Sequence, residues 1–585
     1  MRTSSRHFLS FAATMAAPIL GLLLLIAPPA GAAWSSNPAV NLAVGDGAGE
    51  QVLPKIAGLA DGSCYVGWFD NGGGSYQVRL QRLDPAGNEV WGHNGILVSN
   101  HPQDSWLTDW DLICDAEGSC VLTFTDIRSG NWDVQAYKVT SAGEFPWGAD
   151  GINLSQNAAW EPTPAVCQAS DGDYVFAWGQ YPDAGGGSMM MQRLAPDGTL
   201  RFAVGGISVV SVGTEEPAFP DLEPSLDGDV LLMWVRDISA YTSPRQIRLQ
   251  RFTAAGTAVW AAFAPIYDGP SIPMGYAPHI HRDGAGGAVC GWHRASGNMF
   301  GSFVQRVSAT GAQLYTHNGV AVTADVSRHH IDPATAFNAS TGEIFVFWNE
   351  RNVDQDQWGI YGQRISPAGA RMWGSTGLVL QPVNTYYKSY PRTVPVGDGA
   401  ACFFTDTPLG FSGDRLIGYR LNAAGANVWP TVPVAVSTPQ SGKSRLPLFV
   451  DGAGTTRLAW EDTRNGTPDV YAQNVNADGT LGVDPAGVPE TTPVLWVETG
   501  MPNPFRVATD FTLPRTGPAP DGVAILAADG RIVRLASFRP ENLARASWRW
   551  DGRDDAGREL PAGAYFFRWM NRGTAGSGGR TVLVR

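Results

Sequence analysis

One interval recurs eight times along this chain and restricts its fold more than any other feature. Eight glycines, Gly87, Gly143, Gly198, Gly256, Gly311, Gly369, Gly425 and Gly479, are each preceded at six residues by Gln81, Tyr137, Gln192, Gln250, Gln305, Gln363, Tyr419 or Gln473. The next position is basic in seven copies (Arg82, Lys138, Arg193, Arg251, Arg306, Arg364, Arg420), with Asn474 the exception. A third mark lies upstream: Trp68, Phe124, Trp178, Trp234, Trp292, Trp348, Phe404 and Trp460. Three marks stepping together every 54 to 58 residues define a repeat array, in which each copy is one small unit that buries its faces on its neighbours.

Each copy reads as four short strands. In the first, residues 55–60 (KIAGLA), 64–70 (CYVGWFD), 78–84 (VRLQRLD) and 89–98 are separated by Asp61-Gly62 and Pro85-Ala86-Gly87. Asp-Gly pairs recur at the first hairpin as Asp171-Gly172, Asp227-Gly228 and Asp451-Gly452, where they supply the backbone geometry of tight hairpins. Repeated four-stranded antiparallel units predict an all-β chain built as a β-propeller. Residues 39–44 (AVNLAV) read as an unpaired strand able to complete the last blade and remove an exposed edge. Eight copies suggest eight blades; seven, with one copy displaced, is the alternative.

The repeated residues have structural readings. The glycine suits a positive-φ turn, and the strand-two aromatic fills the space between blade faces. The strand-three basic residue is expected to pair with an acid two places after that aromatic: Asp70, Asp126, Glu350, Asp406 or Asp462. Copy eight, AWEDTRNGTPDVYAQNVNADGT, is the most regular, and copy two (TDIRSGNWDVQAYKV) echoes it. Both resemble the Trp-x-Asp-x-Arg-x-Gly repeats of exported bacterial propeller-like proteins. That resemblance implies fold and export, without shared chemistry. The sialidase turn Ser-x-Asp-x-Gly-x-x-Trp is not spelled here, which weighs against a glycosidase.

The ends differ from the array. Residues 1–33 read as a secretory signal peptide: Arg2 and Arg6, an apolar run (ILGLLLLIA), then Ala30-Gly31-Ala32. That run is too short to span a bilayer, so a soluble exported protein, secreted or at the cell surface, is expected. Export permits disulfides, and Cys114 and Cys120 flank a short turn that a bridge could cross. Residues 34–484 form the propeller and 485–493 (PAGVPETTP) a linker. From residue 494 the text is of another kind, short strands divided by turns, consistent with a small Ig-like β-sandwich. Its ordered motifs are Asn503-Pro504-Phe505, Phe511-Thr512-Leu513-Pro514, Asp529-Gly530-Arg531, Trp550-Asp551-Gly552, Gly557 and Gly563-Ala564-Tyr565-Phe566. This order resembles the immunoglobulin-like domain of the flagellar hook-capping (FlgD-like) family, and is similar to type IX secretion sorting domains. The resemblance covers residues 494–585 and implies export, docking or surface attachment rather than catalysis. The ending RTVLVR departs from lysine-containing sorting forms.

Function is less legible. A net charge of −13 with 16% charged residues leaves no basic footprint for nucleic acid. No nucleophile elbow, His-Glu-x-x-His, phosphate loop or dinucleotide fingerprint stands in a supporting context. His279, His281 and His293 lie on neighbouring strands, but with no evident fourth ligand they read as a polar strand face rather than a zinc site. His329-His330 with Asp332 is a weaker candidate, because adjacent strand residues face opposite ways. No metal or cofactor is expected. Aromatics off the repeat positions are the binding candidates: Trp106, Trp110, Trp160, Tyr241, Tyr276, Trp358, Tyr386 and Tyr387. The expectation is therefore a noncatalytic binding or adhesion propeller for a glycan or protein ligand, with a C-terminal module that engages secretion or anchoring machinery. The alternative is an extracellular propeller-fold hydrolase acting on glycans.

Overall fold

The computed structural model describes residues 33–103, 109–211, 215–238, 244–273, 277–407, 413–483, 498–499, 502–512, 522–527, 531–537, 547–571 and 574–584. The expected signal peptide thus lies outside the described residues, save its last position. Among the described residues no helix is long and apolar enough to cross a membrane. Two compact units divide at residues 485 and 486, and each is considered by itself.

Unit one is an all-β propeller. Blade 1 consists of β2 (Gln51–Gly58), β3 (Cys64–Asp70), β4 (Tyr76–Leu83) and β5 (Ile96–Gln103), hydrogen-bonded in that order. Six more four-stranded sheets repeat the order. The eighth borrows its outer strand from the other end of the repeat array: β1 (Leu42–Gly45) pairs antiparallel with Asp469–Val475, Leu42 opposite Ala472. The spare N-terminal strand therefore closes the ring, and the inner strand of the last sheet packs on β2.

A single latch holds neighbouring blades. Gln363 Nε2 donates to Gly374 O (2.9 Å), while its Oε1 accepts from Arg364 N (3.1 Å) and Trp373 N (2.8 Å). Gln250 and Gln305 repeat this with Trp260 and Tyr315. The aromatic so placed reaches the next blade's glycine turn: Trp373 Nε1 donates to Ala423 O (3.0 Å) and Trp260 to Ala309 O (2.8 Å), and Trp429, in a copy with Tyr419 in place of the glutamine, donates likewise to Ala477 O (3.2 Å). A Cβ on Gly311 would lie 2.8 Å from the Trp260 ring, and the backbone there has φ +81°. Close approach and left-handed φ together require glycine. At the closure Trp34 plays the same part, donating to Pro85 O (3.2 Å) against Gly87, and Gln473 reaches back to Ser35 O (3.0 Å). The strand-two aromatics are at most 3% exposed.

Two expectations are corrected here. The strand-three basic residue mainly pairs with acids of the first hairpin: Arg251 with Asp229 (2.8 Å), Arg306 with Asp283 (3.0 Å), Arg364 with Glu343 (2.9 Å) and Arg193 with Asp171 and Asp173. Register explains this. Arg251 stands opposite Leu231 at the start of strand two, far from the residues after Trp234. The acids after the aromatic bind their own turn instead, as Asp126 does with Arg128 (2.6 Å) and Asp462 with Arg464 (2.5 Å). Cys114 and Cys120 are cross-strand partners, yet all six cysteines are free thiols, so the expected bridge is not formed.

Unit two places Glu498–Thr499, Thr574–Leu583, Gly563–Asn571, Gly522–Ala527 and Ile532–Ser537 in one sheet, and Thr509–Thr512 with Ser547–Trp550 in another. Phe505, Phe511, Trp550, Tyr565 and Phe567 fill the core. Asn503 Oδ1 accepts Val582 N–H (2.8 Å), tying the Asn-Pro-Phe motif to the last strand. Leu513, Pro514, Asp529 and Gly530 of the motifs lie outside the described residues.

Candidate functional site in the propeller channel

The inner strands carry a repeat feature of their own. In six blades a non-glycine residue takes a left-handed backbone with φ from 51° to 53°: Leu53, Thr163, Phe219, Asp332, Tyr390 and Arg445. In five of these proline follows directly: Pro54, Pro164, Pro220, Pro333 and Pro391. Proline has no N–H for the ladder, and register shifts mark the resulting bulges between Val52 and Lys55, Ala218 and Asp221, Ile331 and Ala334, and Ser389 and Arg392. Such a bulge bends the strand and re-aims the side chains beside it.

Two rings of side chains result. The deeper ring comprises the residues that face the position just before the strand-two aromatic: Lys55, Asp111, Ala165, Asp221, His279, Ala334, Arg392 and Pro447, from blades 1 to 8 in order. Two residues earlier stands a rim containing Asp109, Phe219, Asp332, Tyr390 and Arg445. Cavities of 380, 430 and 100 Å³ share Asp109 and His279 in their walls and together touch the inner strands of all eight blades. The small residues Ala165 and Ala334 open notches in the deeper ring. Asp111 and Asp221 stand in the blades on either side of the first, and His279 and Arg392 on either side of the second.

Inter-blade bonds fix these groups. Asp111 Oδ2 accepts Val166 N–H of blade 3 (3.0 Å), and Asp221 Oδ2 accepts Ile280 N–H of blade 5 (2.7 Å). Lys55 pairs with Asp109 at 2.8 Å, His279 Nδ1 lies 3.4 Å from Asp221, and Arg392 lies 3.6 Å from Asp332. His279 lines all three cavities, and 70% of its side chain is exposed.

The electrostatics separate like groups. Burial pushes Asp111 up to about 6. Burial, with the Asp221 charge adding to it, pushes Glu223 up to about 8. Burial opposes the charge of His279, but the Asp221 carboxylate outweighs it and raises the imidazole above its ordinary value. Burial lowers His281, two residues along the same strand. Burial also opposes the Lys55 ammonium, yet Asp109 and Asp111 overcome it and hold the group above its usual range. The throat thus contains protonatable carboxyls, two imidazoles shifted in opposite directions, and cationic side chains, an assortment suited to general acid–base work.

The aromatic candidates divide. Trp110 is corrected: it is 1% exposed, stacked on Phe69 and bonded to Leu53 O (2.9 Å), so its face is unavailable to a ligand. Trp160 is 52% exposed and sits between Trp132 and Tyr181, with ring centroids 5.9 and 5.5 Å away. Trp358 and Tyr387 are half-buried and meet edge to face at 5.0 Å, and Lys388 lies over Tyr386 at 5.6 Å. Trp106, Tyr241 and Tyr276 lie outside the described residues. His279 and His281 line the 380 Å³ cavity with His293, whose Nδ1 accepts Asp332 N–H (3.3 Å). The channel acids were missed by motif reading because each comes from a different repeat. The recurring proline, with an unlike residue after it, marks Lys55, Asp221, His279 and Arg392, whereas Asp111 follows Trp110 and carries no such signal.

No family model and no curated protein matches the sequence. Among solved structures, the chain is similar to a PL25 ulvan lyase bound to a sulfated glucuronate–rhamnose unit (TM-score 0.41, 8% identity, 76% of this chain and 97% of that one). It is also similar to polysaccharide lyase Uly1 (TM-score 0.39, 11% identity, 76% and 92%). A third is the Penicillium chrysogenum α-L-arabinanase complexed with arabinobiose (TM-score 0.32, 16% identity, 54% and 94%). Likeness at these identities concerns fold alone. The expectation of a noncatalytic propeller, and of no enzyme, is nevertheless overturned. The reactive cluster whose absence motivated that expectation stands in the channel.

Proposed function

We propose that this protein is a glycan-cleaving enzyme whose active site is the propeller throat. The observation that carries this reading is the pair Asp111 and Asp221, held by inter-blade bonds on either side of the Ala165 notch, with Asp111 protonatable near pH 6. In hydrolysis Asp111 serves as general acid, protonating the leaving glycosidic oxygen. Asp221, an acceptor of Ile280 N–H, serves as base or nucleophile, as paired carboxyls do in glycosidases. Glu223 holds a proton behind them. The open face of Trp160 offers a sugar-stacking surface.

A second reading is favoured by one specific arrangement. His279 and His281, shifted in opposite directions, share the throat with Arg392 and Arg445, which suits β-elimination on an acidic sugar: cations neutralise the carboxylate and an imidazole takes the proton. Incubating the exported form with a panel of neutral and uronate polysaccharides separates the two. New reducing ends without ultraviolet-absorbing unsaturated ends indicate hydrolysis, and unsaturated ends indicate elimination. Absence of cleavage across the panel rejects the site, and full activity in Asp111→Asn and Asp221→Asn rejects the carboxyl pair.

For the C-terminal sandwich the proposal is a FlgD-like docking or sorting module on a protein exported through its N-terminal signal. Its support is the ordered motif set, with Phe505, Trp550 and Tyr565 in the core. Deleting residues 494–585 should release the propeller from the cell surface; unchanged localisation rejects the role.

A further inference from the structure

Blade 6 departs from its neighbours at a buried cation position. In blade 8, Asp462 Oδ2 accepts the Trp460 indole (2.9 Å) and faces Lys443 Nζ at 3.3 Å. That ammonium also donates to Asp414 O (3.0 Å), Pro439 O (2.6 Å) and Ser441 Oγ (2.7 Å). In blade 7 Lys388 occupies the equivalent place opposite Asp406 and donates to Asn384 Oδ1 (2.7 Å), Tyr386 O (3.0 Å) and Trp358 O (3.3 Å). Two blades thus fill the position with a lysine ammonium satisfied by several oxygens.

In blade 6 the indole of Trp348 donates to Glu350 Oε2 (2.7 Å), as in blade 8, but the residue opposite Glu350 is His330. Its Nε2 lies 3.4 Å from Glu350 Oε2, the two side chains are 3% and 2% exposed, and that nitrogen has no hydrogen-bond partner. A second carboxylate, Asp325, comes from the segment just before the strand His329–Asn338. Ligand atoms of Asp325, His330 and Glu350 all lie within 4.8 Å of one another. The nearest protein cation, Arg328, approaches the other oxygen of Glu350 at 3.8 Å and is 39% exposed.

We infer that Asp325, His330 and Glu350 bind a divalent metal ion of the zinc class, which takes the place of the lysine ammonium of blades 7 and 8. One imidazole and two carboxylates form a nitrogen–oxygen donor set that such ions accept, with a fourth position left for water. The ion neutralises two facing carboxylates, satisfies the orphaned imidazole nitrogen, and pins the loop bearing Asp325 to the strand Glu343–Arg351. The role is structural and independent of the throat chemistry.

The test uses the full exported chain, stripped of metal and titrated with Zn²⁺, and with Co²⁺ as a visible-absorbing probe. The wild type should bind one equivalent more than His330→Lys, which installs the ammonium of blades 7 and 8. Zn²⁺ should raise the melting temperature of the wild type, while His330→Lys should melt at or above the metal-free wild type without that equivalent. Asp325→Asn provides a second, milder variant and should weaken this equivalent by about 10-fold or more. Any equivalent taken up by the channel histidines is common to all three proteins and cancels. Equal stoichiometry in wild type and folded His330→Lys, equal affinity in wild type and folded Asp325→Asn, or a response to Ca²⁺ but not to Zn²⁺, overturns the assignment.

Discussion

The outer hairpins and the inner strands of this propeller follow opposite rules. Around the outer rim the glycine recurs in every copy and the glutamine in six of eight, tyrosine taking its place in the other two, and each glutamine amide bonds to a backbone carbonyl near the blade junction. Around the channel the equivalent position reads Lys55, Asp111, Ala165, Asp221, His279, Ala334, Arg392 and Pro447, six residue types in eight places. Uniformity at the rim follows from identical blade-to-blade junctions, each needing the same latch. Diversity at the channel follows from its single central space, in which each blade contributes one side of an asymmetric site. In a repeat protein, residues that keep the period hold the fold, and residues that break it at a structurally equivalent position are the candidates for chemistry.

The sharpest way to break this contrast is to mutate each kind. Asp111→Asn and Asp221→Asn retain an acceptor for the next blade's amide, so melting temperature should change little while cleavage falls about 10²- to 10⁴-fold. The wild-type rate should also fall as pH rises through about 6, where Asp111 loses its proton, and this limb should vanish in Asp111→Asn. Next in size is the closure. Trp34→Ala should cost about 3–5 kcal/mol in denaturant unfolding, the same as Trp260→Ala at an internal junction; a much smaller loss at Trp34 would mean that the N-terminal strand is a loose tether. Smaller again, Gln363→Ala should cost about 1–3 kcal/mol through its unpaired buried amides and leave kcat unchanged.

The smallest effect concerns Glu223. Its folded value of about 8 lies above the ordinary 4.5, so between those values the folded chain holds a proton that the unfolded chain has released. Stability from this group is complete below pH 4.5, declines as pH rises to 8 and is flat beyond. Glu223→Gln should remove that decline, on the order of 1 kcal/mol once water in the throat is allowed for, measured by denaturant midpoints at pH 5 and pH 8. Equal slopes in the two proteins would remove Glu223 from the protonated set.

Much of the fold was legible because a repeat makes the same statement eight times. Gly311 and Trp234 were recognisable as turn and packing residues, and residues 39–44 as a strand in need of a partner. Pairing was harder. The basic residue after each glutamine was visible, but its partner depends on register, and Arg251 opposite Leu231 meets the first hairpin rather than the end of strand two. Among the binding candidates, exposed Trp160 and buried Trp110 look alike as letters; the difference is that the Trp110 indole is spent on Leu53 O inside the blade interface.

The sequence by itself determined an all-β array of equivalent four-stranded units, because its aromatic, glutamine and glycine spacings encode local hairpins and identical junctions. Only the tertiary structure decided that Asp111, Asp221 and His279, more than 50 residues apart in turn, share one channel, and that His330 opposes Glu350 without a lysine to fill the gap. Ring closure sets those distances, and they are written in no single repeat.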